Sequence, residues 1–190
     1  MFYYFSLFSL FFIFAKIESF QKHKRESFWL ISLFAIFLIL GSRYYIGGDY
    51  FGYLNLYNKM TDLNHFYVVI YNTEILFYSI LFVINKLGLG YHFLNFFLIF
   101  ILIFFFQGYA KNYENPFFIL LISIPILFIP ISINFVRQGI AISIFLYSIQ
   151  HLISGRFVKY FFFIIIAALF HKFSIIYLLF YFVYEKNFVR

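Results

Sequence analysis

Cysteine is absent from this sequence, which excludes disulfide bonds, thiolate nucleophiles and zinc–thiolate centres together. Charge is scarce as well: Asp, Glu, Lys and Arg make up 11% of the chain, against about 25% in soluble proteins. Metal-ligand spacing is missing too. The histidine–carboxylate pair Asp62 and His65 sits in a polar stretch with no further ligand, so no metal is expected. No basic stretch precedes the apolar run 2–15, and Lys16-Ile17-Glu18 stands where a small-residue cleavage site would be. That run therefore reads as a membrane segment and not as a signal peptide. Neither an internal repeat nor a low-complexity linker divides the chain, so residues 1–190 read as a single transmembrane domain.

What is present is apolar. Hydrophobic residues account for 65% of the sequence, where soluble domains hold about 45–50%, and this points to an all-α polytopic membrane protein. The 35 Phe and 18 Tyr, alongside many Ile, Asn and Lys, read as AT-rich coding more than as an aromatic site, although Tyr at the ends of apolar runs suits an interfacial belt. The formal charge of +7 comes from basic residues scattered in short loops, the pattern of a positive-inside bias and not of a nucleic-acid surface.

Apolar runs fall at 2–15, 27–42, 67–86, 91–107, 117–133, 138–153, 157–170 and 172–184, giving about seven or eight segments. Several are shorter than the roughly 20 residues a straight span requires, so tilted, broken or re-entrant helices are expected. The most basic loop, 16–26, belongs in the cytoplasm, which sets 43–66 on the outer face. The run 117–133 carries Pro125 and Pro130 and is expected to be re-entrant or broken, entering from the outer face and returning to it. Under that topology Lys86 lies inside, Lys111 lies outside, and nine basic residues face the cytoplasm against five outside.

Three polar islands interrupt the grease: Arg43 to Tyr50, Asn134 to Gln138, and Phe170-His171-Lys172. Ionisable groups at apolar edges of a membrane chain are expensive and are kept for a task. Arg43 and Asp49 flank Gly47-Gly48, whose freedom to turn would let a guanidinium and a carboxylate converge; the alternative is a loop ion pair beside interfacial tyrosines. Arg137-Gln138 opens an apolar run where a cation opposes the helix dipole, so an anionic ligand such as a diphosphate would explain it, with snorkelling to lipid phosphate as the alternative. His171 is a candidate general base or phosphate ligand, or else an interfacial histidine bonded to backbone. Glu74 reads as a helix start just below the outer surface, with a substrate-facing role as the second reading. His23, His65, His92 and His151 read as ordinary surface or interface residues.

These islands, in this order, resemble the EpsG family of exopolysaccharide polymerases, relatives of Wzy-type O-antigen and capsule polymerases. The matching residues are Arg43, Gly48-Asp49-Tyr50 and Tyr53, then Asn134, Arg137, Gln138 and Ala141, then Phe170-His171 and Ser174. The resemblance covers about residues 28–184 and is compatible with a GT-C-like helical architecture. It implies a protein of the cytoplasmic membrane that joins oligosaccharide repeat units carried on undecaprenyl diphosphate at the outer face. No cofactor is implied, and the partners would be the lipid-linked glycan, membrane lipid and other polysaccharide assembly proteins. Family members of about twice this length make the chain look like an N-terminal half. In that chemistry Arg43 and Arg137 would stabilise the departing diphosphate, with Lys172 a weaker candidate, and either Asp49 or His171 would take the acceptor proton. Tyr50, Tyr53, Asn134, Gln138 and Glu74 would contact sugar or phosphate. A flippase or transporter subunit for the same lipid-linked sugars, a non-catalytic scaffold, or another membrane transferase such as an acyltransferase are the competing classes; no His-Asp pair at short spacing within an apolar run supports the last.

Overall fold

A computed structural model describes residues 25–60, 74–130 and 134–188, with isolated positions at 9, 64, 66, 67 and 71. The apolar run 2–15 and most of the loop 16–26 lie outside the described residues, as do 61–63, 131–133, Asp62, His23 and His65. Among the described residues there are eight α-helices and no strand: α1 (Arg25–Gly41), α2 (Gly48–Lys59), α3 (Ile75–Lys86), α4 (Tyr91–Ala110), α5 (Pro116–Ser123), α6 (Val136–Ile153), α7 (Phe157–Phe170) and α8 (Leu179–Phe188). A π turn, Ile124–Phe128, extends α5, and a 3-10 segment, Lys172–Leu178, leads into α8.

Side-chain contacts fix the direction of each helix. Gly41 at the end of α1 lies so close to Phe96 that an added Cβ would clash with its ring, while Trp29 at the start of α1 meets Phe117 edge-on at 5.4 Å. Helix α4 therefore runs antiparallel to α1. It runs parallel to α6, because Gly108 abuts Tyr147 and the Asn112 amide donates to Gln150 Oε1 at 2.9 Å. Helix α7 returns antiparallel to α6, with Phe163 stacked on His151 at 5.3 Å. The 3-10 segment and α8 run back again, Tyr160 donating to the Tyr177 carbonyl and Tyr184 to that of Ile153. His151, expected at the surface, is buried in this packing.

One end of the bundle thus collects residues 42–60, 74–91, 134–138 and 170–173; the other collects 25–29, 110–116 and 153–157. Helix α3 stays at the first end throughout. Glu74, its N-cap, meets Arg137 and His171, while Asn85 at its far end donates to the Tyr57 carbonyl at 2.8 Å and Tyr57 donates to the Leu89 carbonyl. At 12 residues α3 is about 18 Å long, short of a hydrocarbon core of about 30 Å. Gly88, with φ of 68°, closes it: its N–H bonds to the Asn85 carbonyl and that of Leu89 to Ile84, which turns the chain directly into α4.

The expected topology is corrected here in two places. The run 117–133 does not fold back on the face it leaves. Phe117 packs at the Trp29 end and Asn134 bonds at the Gly48 end, so this stretch traverses the bundle. It is interrupted as its prolines suggest. Asn115 caps α5 by accepting the Phe118 N–H at 2.9 Å with Pro116 behind it, and Pro125, which has no N–H to give, falls in the π turn. The segment that does not cross is instead 75–86. Lys86 and Lys111 accordingly exchange ends.

Helix α4 is the helix among the described residues long and apolar enough to cross a membrane by length and composition; the other apolar helices are shorter. Leu30, Phe34, Phe100, Phe104, Ile126, Phe162 and Phe182 nevertheless lie exposed around the bundle, a spread of bare apolar surface foreign to a soluble monomer. The cysteine-free chain offers a clean test of direction. In oriented membranes an impermeant thiol reagent should modify Lys86→Cys from the same face as Tyr45→Cys, and Glu114→Cys from the opposite one. Joint labelling of Lys86→Cys with Glu114→Cys would contradict the assignment of α3.

Candidate functional site

The site is built from five segments that the sequence keeps far apart. The loop after α1 delivers Arg43, whose guanidinium is 5% exposed and donates to Asn95 Oδ1 on α4 at 3.3 Å. Burial pulls its pKa down, and Tyr91, Tyr53 and Asp49 push it back up, so Asp49 lies within electrostatic reach. It remains a cation, as guanidinium groups in proteins do. Gly47 then turns with φ of 98°, a conformation that glycine adopts without strain, and starts α2. The Gly48 N–H donates to Asn134 Oδ1 at 2.6 Å, which stitches the first island to the second.

Within α2, Asp49 and Tyr53 are one turn apart and share a face. The Tyr53 hydroxyl donates to Asp49 Oδ2 at 2.9 Å and accepts from Arg137 Nε at 2.9 Å. Burial pushes the Tyr53 pKa well up, so the phenol stays neutral and keeps the proton it donates. The Arg137 guanidinium also lies over the rings of Tyr53 and Phe77, at 5.3 and 5.4 Å. Its NH1 donates to Glu74 Oε2 at 2.8 Å. Glu74 is 6% exposed and presents its other oxygen, Oε1, to His171 Nδ1 at 3.4 Å. That contact is electrostatic, its geometry short of a hydrogen bond, and the buried Nδ1 has no other partner.

His171 occupies the break between α7 and the 3-10 segment. Its backbone is extended (φ −148°, ψ 106°), its N–H closes α7 on the Ala167 carbonyl, and its carbonyl accepts the N–H of the buried Ser174. The break throws the imidazole sideways off the helix axis toward α3. The result is a continuous polar chain: Asp49, Tyr53, Arg137, Glu74, His171. It explains why Arg137 stands in the first turn of α6 against the helix dipole. A buried carboxylate faces it.

All three islands therefore meet at one end of the bundle, with Glu74 at their centre. Asn134 is bound to Gly48 and Lys172 is exposed beside His171, its ammonium 5.3 Å from the Phe173 ring centre. Gln138 is exposed and makes no hydrogen bond among the described residues. Tyr50 and Tyr53 are buried, 2% and 5% exposed, Tyr50 edge-on to Tyr91; their ring faces belong to packing and not to an open sugar platform. The exposed aromatic surface beside them is Tyr44, Tyr45 and Phe51, which sequence reading passed over as an interfacial cluster. Asn95 was also missed; its signal was an amide inside the apolar run 91–107. Among the described residues no group of three His, Cys, Asp or Glu side chains has the arrangement of a metal site.

The helical bundle thus has exposed apolar flanks and a partly buried acid–base chain at one end. Residues 26–189 match the EpsG family, and the chain belongs to it. This is a family of polysaccharide polymerase-like membrane proteins. No curated protein and no solved structure matches the chain.

The hydroxyl of Tyr53, itself buried, joins a half-exposed carboxylate to a half-exposed guanidinium. Tyr53→Phe leaves both short of a partner and should lower stability by about 1–3 kcal/mol, seen as an earlier denaturation midpoint in detergent. Tyr45→Phe, at an exposed ring, should change it by less than about 0.5 kcal/mol.

Proposed function

We propose that this protein is a multi-pass polysaccharide polymerase of the cytoplasmic membrane, joining undecaprenyl-diphosphate-linked oligosaccharide repeat units at the outer face for exopolysaccharide, capsule or O-antigen synthesis. The observation that carries the proposal is the state of Arg137. Nε and NH1 are committed to Tyr53 and Glu74, which fixes the guanidinium plane, while NH2 makes no hydrogen bond among the described residues and the side chain stays 28% exposed. A cation so anchored is a preorganised donor for the charge that develops when a sugar leaves a diphosphate. The basic Arg25 end, by the positive-inside rule, belongs in the cytoplasm and sets the polar site outside. The girdle of exposed Leu, Ile and Phe supports several crossings, the shorter helices thinning the bilayer or spanning as pairs.

In this reading an acceptor sugar hydroxyl attacks the anomeric carbon of the donor glycan. Its proton passes to a base, Asp49 or His171, and the bond between the anomeric carbon and the diphosphate oxygen breaks. The electron pair stays on that oxygen, which Arg137 NH2 and the exposed Lys172 ammonium stabilise. Arg43, being buried against Asn95, contributes by holding the field around Asp49. Tyr44 and Tyr45 offer the exposed rings on which sugar faces stack.

Deletion of the gene should abolish polymer while single, already flipped lipid-linked units accumulate; loss of flipping would instead favour a carrier. Arg137→Ala should reproduce the deletion, with a loss of about 10²-fold or more, the scale of one transition-state charge donor. Unchanged polymer length and yield in Arg137→Ala would refute the leaving-group assignment.

A further inference from the structure

The Glu74 carboxylate stands between two groups with different needs. Arg137 can only donate, so it requires an oxygen, and it takes Oε2 at 2.8 Å. His171 meets Oε1 at 3.4 Å through a buried Nδ1 that makes no hydrogen bond among the described residues. A carboxylate can only accept, so the nitrogen facing it is the protonated one, and the second ring nitrogen, Nε2, keeps its lone pair. The ring is about a quarter exposed although Nδ1 is covered, so the remaining edge is the accessible one. Asp49, the other candidate base, already accepts from Tyr53 and faces the Arg43 cation.

We propose that Glu74 is a positioning residue that locks His171 in the Nδ1–H form, so that His171 Nε2, and not Asp49, takes the proton of the acceptor hydroxyl. The same carboxylate aligns Arg137, so base and leaving-group donor are set by one side chain. The acceptor oxygen forms its bond to the anomeric carbon as its proton moves to Nε2. The diphosphate leaves with the electron pair of the broken bond, and the imidazolium, paired with Glu74, later returns its proton to water. The catalytic part rests on the polymerase reading; the tautomer does not.

Glu74→Gln distinguishes this from a merely structural salt bridge. Arg137 still demands the amide oxygen, which leaves the amide N–H₂ facing Nδ1. A donor there forces the proton onto Nε2 and removes the lone pair from the open edge. In His–carboxylate pairs this exchange costs about 10⁴-fold in turnover through the wrong tautomer. The test uses the full chain in detergent with ¹⁵N-labelled histidine, the His171 signals assigned by their loss in His171→Gln. The parent should show Nδ1 protonated, Glu74→Gln should show Nε2 protonated, and Glu74→Asp, still acceptor-only, should keep the parent form. Polymer formation in membranes supplied with lipid-linked repeat units from a deletion strain should fall at least about 10²-fold in Glu74→Gln and recover in part in Glu74→Asp.

Persistence of the Nδ1–H form in Glu74→Gln, or polymer formation within tenfold of the parent, overturns the proposal. If Glu74→Gln does not fold, Glu74→Asp carries the test alone: loss of the Nδ1–H form there overturns it equally. Polymer formation in membranes that lack the protein altogether would refute the polymerase reading and leave the tautomer result standing on its own.

Discussion

A carboxylate removed from water has to be compensated, and at Glu74 that requirement organises the molecule. Three helices answer it: α3 contributes the acid, α6 the guanidinium, and the break after α7 the imidazole. Losing the guanidinium strands the buried carboxylate, at a cost of several kcal/mol for a removed partner. The position of α3 along the bundle follows from the same constraint. Its first residue is bound to the ends of α6 and α7, its last turn returns to Tyr57, and an apolar run that would suit a crossing is kept at one end.

The grouping of the polar islands was legible in the sequence because isolated charges between apolar runs are chemically conspicuous. Arg43, Asp49, Arg137 and His171 stand out for that reason, and so does Glu74 as a helix start. Their pairings were not legible. Nothing local says that Arg137 reaches 63 residues back to Glu74, or that Tyr53 is a buried bridge and not an exposed ring. Those facts depend on helix direction, and direction is a long-range property.

The topology misreading has a specific physical origin. Length and hydropathy make 67–86 look like a better crossing than 117–133, which carries two prolines. Yet a helix tolerates proline when a π turn re-pairs its backbone, as at Ile124–Phe128, whereas a twelve-residue helix cannot be stretched across a bilayer. Charge counting did not expose the error, because Lys86 and Lys111 trade places without altering the balance. A rule that counts charges is blind to an exchange of equals.

The separation of Glu74 from its partners also bears on how the chain is made. Arg137 and His171 emerge from the ribosome long after Glu74, so for much of synthesis the carboxylate exists without either counter-charge. A crossing α3 would have to hold it near hydrocarbon through that interval, where an isolated acid is costly. Because α3 stays at the bundle's end, the nascent acid can remain hydrated until α6 and the hairpin of α7 and α8 arrive and draw it in. The site is then assembled only once α7 has been made.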